Sequence, residues 1–280
     1  MVYWAQCRLI RYYDNAYAII TSMNRHVQQG FTIIELLFFV VISGMLTVAL
    51  LVGWTVTVNA QNYKDSARSF AVALQDQYDG VANVTIDRDA DYQCQRDTAT
   101  SVKVTEVAGG SQFSRGSSDC VVMGKYIYLS NGNVTTRPVL GIQPGAGIPL
   151  PATDKAIIQA YSPTVLSEDI TSIPISSFTV PWSTQPYLKG TPMTQTMNMV
   201  MVIVQSPVTG TLYTYHAMVT SGAPLPSVRT VVSSGSQSEL MLCLNPDAVV
   251  GQGTLAVRLD ANASSSEAVS VVGDASNGCG

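Results

Sequence analysis

Glu35 is the residue whose type and position most plainly ask for chemistry. It stands in QQGFTIIELLFFVVI, residues 28–42, at the head of an apolar run that carries no charge from Leu36 to Val58. An ionised carboxylate inside a membrane helix costs on the order of 3 kcal/mol on insertion scales and is kept where it finds a partner. An ammonium group is the obvious one. A plainer use exists too: an acid near a helix start reaches back to the membrane interface and suits the positive end of the helix dipole.

The other chemistry-bearing residues are few. His216 sits in TLYTYHAMVT among alternating strand residues, where it reads as a strand histidine rather than a catalytic one. Asp87, Asp89 and Asp91 lack the glycine and terminal glutamate of a calcium loop. Gly251-Gln252-Gly253 stands between two strand-like runs with no helix after it, so it reads as a turn rather than a dinucleotide fingerprint. Asn83, Asn133 and Asn262 head glycosylation sequons of the kind that arise by chance in a Ser/Thr-rich chain. No CxxC, GxSxG or Walker-type motif occurs. The expectation is a protein with no catalytic residues, no metal and no cofactor.

Those residues must be positioned by a membrane element. The run Leu36–Val58 is about as long as the ~20 residues that span a bilayer as a helix. Arg25, with His26 when protonated, keeps the preceding side in the cytoplasm, so the bulk of the chain is exported. The cysteines fit that topology: Cys7 falls on the reducing side, while Cys94, Cys120, Cys243 and Cys279 fall where disulfides persist. Four cysteines allow three pairings. Sequence alone does not choose among them, but Cys94–Cys120 and Cys243–Cys279 are preferred because each pair lies in one compositional region.

A secretory signal peptide has its small-residue cleavage site after the apolar region, whereas Gly30 precedes it. The stretch Gly30-Phe31-Thr32-Ile33-Ile34-Glu35-Leu36 resembles the prepilin signature of type IV pilins and pseudopilins, a resemblance that is specific over residues 23 to about 80 and rests on layout thereafter. It implies cleavage between Gly30 and Phe31 by a prepilin peptidase, methylation of the new amine, and packing of helices into a filament in which Glu35 of one subunit neutralises the Phe31 ammonium of its neighbour. Residues 23–30 look like the family's short leaders, while residues 1–22 match nothing in it, so Met23 is a candidate start. The implied partners are other pilin subunits, the peptidase, the inner-membrane pilus assembly machinery, membrane lipid before assembly and a surface receptor for the head. The implied location is first a single-pass inner-membrane precursor, then a cell-surface pilus.

Tyr63, Ala67, Phe70, Leu74 and Tyr78 recur at spacings of four and three, so the helix is expected to run past the membrane, over Phe31–Asp79, with Gly80 closing it. Inside the membrane half, Ser43/Thr47 and Ala49/Gly53 give small-xxx-small spacings that let backbones approach; such residues are also common in any membrane helix. Beyond Gly80 short apolar runs alternate with turn residues. Asn131-Gly132 reads as a hairpin turn, and MNMVMVIVQ, TLYTYHAMVT, ELMLCL and TLAVRL read as strands. The predicted fold is thus α+β and pilin-like: a long N-terminal helix, half in the membrane and half amphipathic, packed on a β-rich, disulfide-containing exported head. The predicted divisions are a leader at 1–30, a membrane and polymerisation helix at 31–58, its amphipathic continuation at 59–80, a first part of the head at 81–140, a linker or long loop at 141–154 and a second part at 155–280.

Charge narrows the partners. The whole chain holds 15 basic and 19 acidic residues. Removing residues 1–30 takes away Arg8, Arg11, Arg25 and Asp14 and leaves 12 basic and 18 acidic, a net of −6. Such a surface repels polyanions, so general nucleic-acid binding is not expected. The 250 residues after Gly30 exceed the usual domain of about 100–150, which favours a minor or adhesive pilin over a bulk lattice subunit, with a pseudopilin of a type II secretion or DNA-uptake system as the alternative and a membrane-anchored extracellular enzyme as a remote one.

Overall fold

The computed structural model describes residues 32–83, 92–98, 101–106, 120–145, 147–165, 175–182, 184–192, 197–245, 253–273 and 279, with the backbone alone for 92–98, 101–106 and 120. It divides between Thr55 and Val56 into two compact units.

One helix, α1 (Ile33–Ala82), dominates the N-terminal part. Thr32 starts it: its hydroxyl accepts the Glu35 N–H at 3.3 Å and its carbonyl accepts the Leu36 N–H at 3.2 Å, which satisfies donors that a helix start leaves open. Among the described residues of the first unit the large apolar side chains are all exposed, from Val41 at 51 % to Ile33 at 81 %. Its hydroxyls turn inward to their own helix, Ser43 to the Val40 carbonyl, Thr47 to that of Ser43 and Thr55 to that of Val52, so they add no polarity to the apolar surface. Among the described residues this is the one helix long and apolar enough to cross a membrane.

The second unit is the head, and the rest of α1 is part of its core. All five residues of the predicted stripe are buried, joined by Ser66, Ala71 and Val81. The helix end differs from expectation. α1 runs past Asp79 to Ala82, with Gly80 inside it rather than closing it, because Val81 extends the buried stripe three residues beyond Tyr78.

The strands are β1 (Tyr92–Thr98), β2 (Ser101–Glu106), β3 (Cys120–Ser130), β4 (Asn133–Ile142), β5 (Thr164–Val165), β6 (Ser176–Thr179), β7 (Pro186–Leu188), β8 (Asn198–Gln205), β9 (Leu212–Met218), β10 (Leu240–Leu244), β11 (Leu255–Leu259) and β12 (Val269–Val272). Every pairing is antiparallel. β1 and β2 pair with each other; β12-β11-β10-β7 form a four-stranded sheet; β5-β4-β3-β8-β9, with β6 also on β4, form a six-stranded one. The β3–β4 hairpin turns at Asn131 (φ 49°) and Gly132 (φ 78°), a conformation that favours these two residue types. Residues 143–153 lead from β4 to a short helix, α2 (Asp154–Ala160); Gly141 and Ile142 belong to β4 itself. A second short helix, α3 (Val228–Ser234), is capped by the Ser227 hydroxyl on the Thr230 N–H.

α1 lies on one face of both sheets, packing Phe70, Leu74 and Tyr78 with Met199, Met201 and Ile203 of β8 and Leu242 and Val257 of β10 and β11. α2 and α3 cover the other face of the six-stranded sheet through Ile157, Ile158, Val231 and Val232. The strands alternate accordingly. On β8, odd residues face α1 and Val200, Val202 and Val204 face α2 and α3, so this central strand is apolar on both sides.

Candidate assembly site

Gly30 and Phe31 lie outside the described residues, but the element they lead into is well defined. Glu35 is in the first turn of α1, its side chain exposed, its backbone N–H on the Thr32 hydroxyl. Because the Thr32 cap uses the backbone of residue 35, the carboxylate is left for other work; it makes no hydrogen bond or ion pair among the described residues. Ser43 is half-exposed and Thr47, Ala49 and Gly53 are exposed on the same helix, with the first two hydroxyls tied to their own backbone. The arrangement is a smooth, charge-free apolar cylinder beyond one carboxylate at its start.

The head end of α1 is fixed by polar staples as well as by packing. The Tyr63 hydroxyl donates to the Leu244 carbonyl at 2.7 Å and accepts the Leu255 N–H at 2.8 Å, bridging the end of β10 to the start of β11. The Ser66 hydroxyl donates to the Pro181 carbonyl at 3.0 Å. The Gln75 amide donates to the Val269 carbonyl at 2.9 Å on β12, the edge of the four-stranded sheet, occupying a group that could otherwise recruit another strand. Tyr78 and Thr214 share a buried hydroxyl contact of 2.9 Å, and Thr214 donates on to the Ala263 carbonyl; burial pushes the Tyr78 phenol up to about 12. The Lys125 ammonium donates to the Gln77 side-chain oxygen at 3.1 Å; burial lowers its pKa and the nearby Asp76 opposes that.

Cys243 and Cys279 form a disulfide, with Cα atoms 5.8 Å apart. Both are buried, beside Tyr187, Met241 and Ala256, on the face of the four-stranded sheet turned away from α1. Cys94 falls on β1 and Cys120 begins β3, but their side chains lie outside the described residues. His216 is half-buried on β9, and its backbone exchanges two 2.9 Å hydrogen bonds with Ser236; burial lowers its imidazole pKa, as fits a neutral strand histidine.

Two features escape sequence reading. Asp154, at the start of α2, accepts hydrogen bonds from Ser206 (2.7 Å) and Thr209 (3.0 Å) through one oxygen and from Tyr213 (2.6 Å) through the other, which hold its carboxyl below the usual carboxylate range. Trp182 has φ +62° and is 63 % exposed, an uncommon combination for a bulky side chain. The residues on either side gave no signal beyond Pro181 for the first half of that turn.

Residues 25–51 match the family model described as Prokaryotic N-terminal methylation motif, a span that includes Gly30, Phe31, Glu35, Ser43, Thr47 and Ala49. No curated protein and no solved structure matches the chain. With that match, the capped helix start at Thr32 and the long exposed apolar helix behind Glu35, the chain carries the prepilin signature of type IV pilins and pseudopilins at its N-terminal end.

Proposed function

We propose that this chain is a minor, adhesive subunit of a type IV pilus, made as a membrane-anchored precursor, cleaved after Gly30 and polymerised through α1. The observation that carries the reading is the methylation motif placed on a helix whose first unit is apolar, exposed and uncharged after Glu35. In the bilayer that surface is satisfied by lipid; outside it, only like surfaces can cover it. Cleavage frees an ammonium at Phe31, four residues before the unpaired Glu35 carboxylate. Pairing such groups between adjacent subunits cancels both charges as the helices enter the filament.

The minor and adhesive part rests on the head. Two short helices on the face of the six-stranded sheet turned away from α1 stand beyond what α1 needs for cover, which suits a subunit that binds rather than one that only fills a lattice, and the head works without turnover. A pseudopilin of a secretion or DNA-uptake machine shares the N-terminal features; the net of −6 after Gly30 speaks against DNA capture by the general surface. Mass spectrometry of sheared surface filaments tests the proposal. The expected result is this chain with an N-methylated Phe31 terminus at low copy number. Precursor retaining residues 1–30, or filaments without the chain, would overturn it.

A further inference from the structure

The two sheets of the head share a core but no ladder. Among the described residues, no strand of the six-stranded sheet pairs with a strand of the four-stranded one. What they have in common is α1, whose Phe70, Leu74 and Tyr78 pack with Met199 and Met201 of β8 and equally with Leu242 of β10. Its polar side chains divide in the same way. Tyr63 and Gln75 bond to the four-stranded sheet, at Leu244, Leu255 and Val269. Gln77 and Tyr78 bond to the six-stranded sheet, through Lys125 on β3 and Thr214 on β9.

The hydrogen bonds that cross the seam between the sheets are polar ties at one edge. Thr214 of β9 donates to the carbonyl of Ala263, between β11 and β12, at 2.8 Å. Others run through residues 234–239, the crossover from α3 to β10. Ser236 exchanges two 2.9 Å backbone hydrogen bonds with His216 of β9, and the Gln237 carbonyl accepts the Asn262 N–H at 2.9 Å. Gly235 lets the crossover lie this close, because a Cβ there would overlap the Val231 carbonyl and press on that of His216. Beyond His216 the sheet edges part. A cleft of about 600 Å³ is lined by His216 and Met218 of β9, by Leu188 and Leu240 of the four-stranded sheet, and by Ser236 and Glu239 of the crossover. A space of that size with polar groups in its walls holds water, so widening it breaks little apolar packing.

We propose that the head is a two-leaf device hinged on α1, in which the seam opens as one unit, with both sheets intact, when the crossover and Ala263 come away from β9. The hinge is the head half of α1, which bonds to each leaf separately. The latch is the Thr214–Ala263 bond together with the His216–Ser236 pair. Local opening in a native protein follows the regions with the least buried apolar contact, so the seam yields before β8, which is apolar on both faces. Load on the head is thereby taken up by widening the cleft before any strand is stripped from its ladder. The device belongs to the fold of the head and holds whichever filament the chain joins.

Native-state hydrogen exchange on the full chain in detergent, followed at low denaturant concentrations, tests this. The N–H groups of His216, Ser236 and Asn262 are expected to share one opening, at least tenfold more frequent than that of the β8 amides and promoted by denaturant as an exposure of surface is. Gly235→Ala, which pries the crossover off β9, should speed exchange of the three about tenfold more and leave β8 unchanged. Thr214→Val removes the hydroxyl tie and keeps the side-chain shape; it should act in the same direction, by the several-fold to tenfold that one lost hydrogen bond gives, and Thr214→Ser should keep the parent rates. Exchange of the three amides at the β8 rate in the parent chain overturns the proposal. So does exchange that ignores denaturant, which marks fraying of single bonds, and so does a rise at β8 in step with the seam in the variants, which marks unfolding of the whole head.

Discussion

Glu35 and Thr32 divide the work of the first helical turn. Thr32 caps the turn through the backbone N–H of residue 35, which any amino acid there retains, so a substitution at Glu35 isolates the charge from the helix start. Glu35→Val is expected to insert and to be cleaved after Gly30 as well as or better than the parent chain. It should then be missing from filaments, because a buried ammonium without its counter-ion costs about 3–5 kcal/mol. Immunoblots of inner-membrane and sheared fractions check this, and normal incorporation would show that the carboxylate is not the partner of Phe31. Asp154 makes a different residue-scale prediction. Its hydrogen bonds hold the folded pKa below the ordinary 3.8, so their stabilising effect is present above pH 3.8 and fades as pH falls through the lowered value. Asp154→Asn should therefore lower Tm at pH 6, and the deficit should shrink below pH 4.

At the scale of elements, the head half of α1 behaves as a strand-end cap as much as a helix. Tyr63 ties the Leu244 carbonyl to the Leu255 N–H at the last rung of the β10–β11 ladder. Tyr63→Phe keeps the ring but strips partners from a carbonyl and an N–H, and is expected to cost about 1–3 kcal/mol in urea unfolding of the detergent-solubilised chain. Gly80 and Lys125 form a second coupled pair. Gly80→Ala gains up to about 1 kcal/mol of helix propensity but displaces the ammonium from Gln77, so it should be near neutral alone. In a Lys125→Ala background the full gain should appear. Additive effects in that double-mutant cycle would mean that the ammonium does not decide the residue at position 80.

For the whole molecule, the disulfide is the covalent tie between the C-terminus and the sheet. Cys279 lies 36 residues beyond Cys243 and packs against Tyr187 and Ala256, so the bond closes β10, β11 and β12 into one loop. A closure of that length is worth about 3–4 kcal/mol in the chain-entropy model. Cys243→Ser with Cys279→Ser should lose about that much in denaturant unfolding, while α1, buried on the opposite face of the sheet, keeps its helical signal in circular dichroism. Loss of the α1 signal at the same denaturant concentration would show that the two faces unfold as one unit.

The sequence by itself determined the features whose cause is local. A 3.6-residue apolar stripe requires a helix that buries Tyr63, Phe70, Leu74 and Tyr78; a charge-free apolar run requires lipid or its like; Asn-Gly between two β-branched runs requires a left-handed hairpin turn. These depend on residues within a few positions of one another, and they are where the helix and the β3–β4 hairpin stand. The Cys243–Cys279 bond is the pairing preferred because both cysteines lie in one compositional region, although sequence alone left three pairings open. Other features had no local cause to read. α2 and α3 are seven residues each, too short for a period to show, and β5 and β7 are two and three residues. Gly80 looks like a helix terminator until Val81 is buried with Tyr78 in the core of the head. Asp154 meets Ser206, Thr209 and Tyr213 across 52 to 59 residues, and Ser66 fixes the turn of Trp182 across 115. Contacts that distant form only when the sheets and α1 have packed. The tertiary structure alone therefore decided how α1 joins the two sheets of the head.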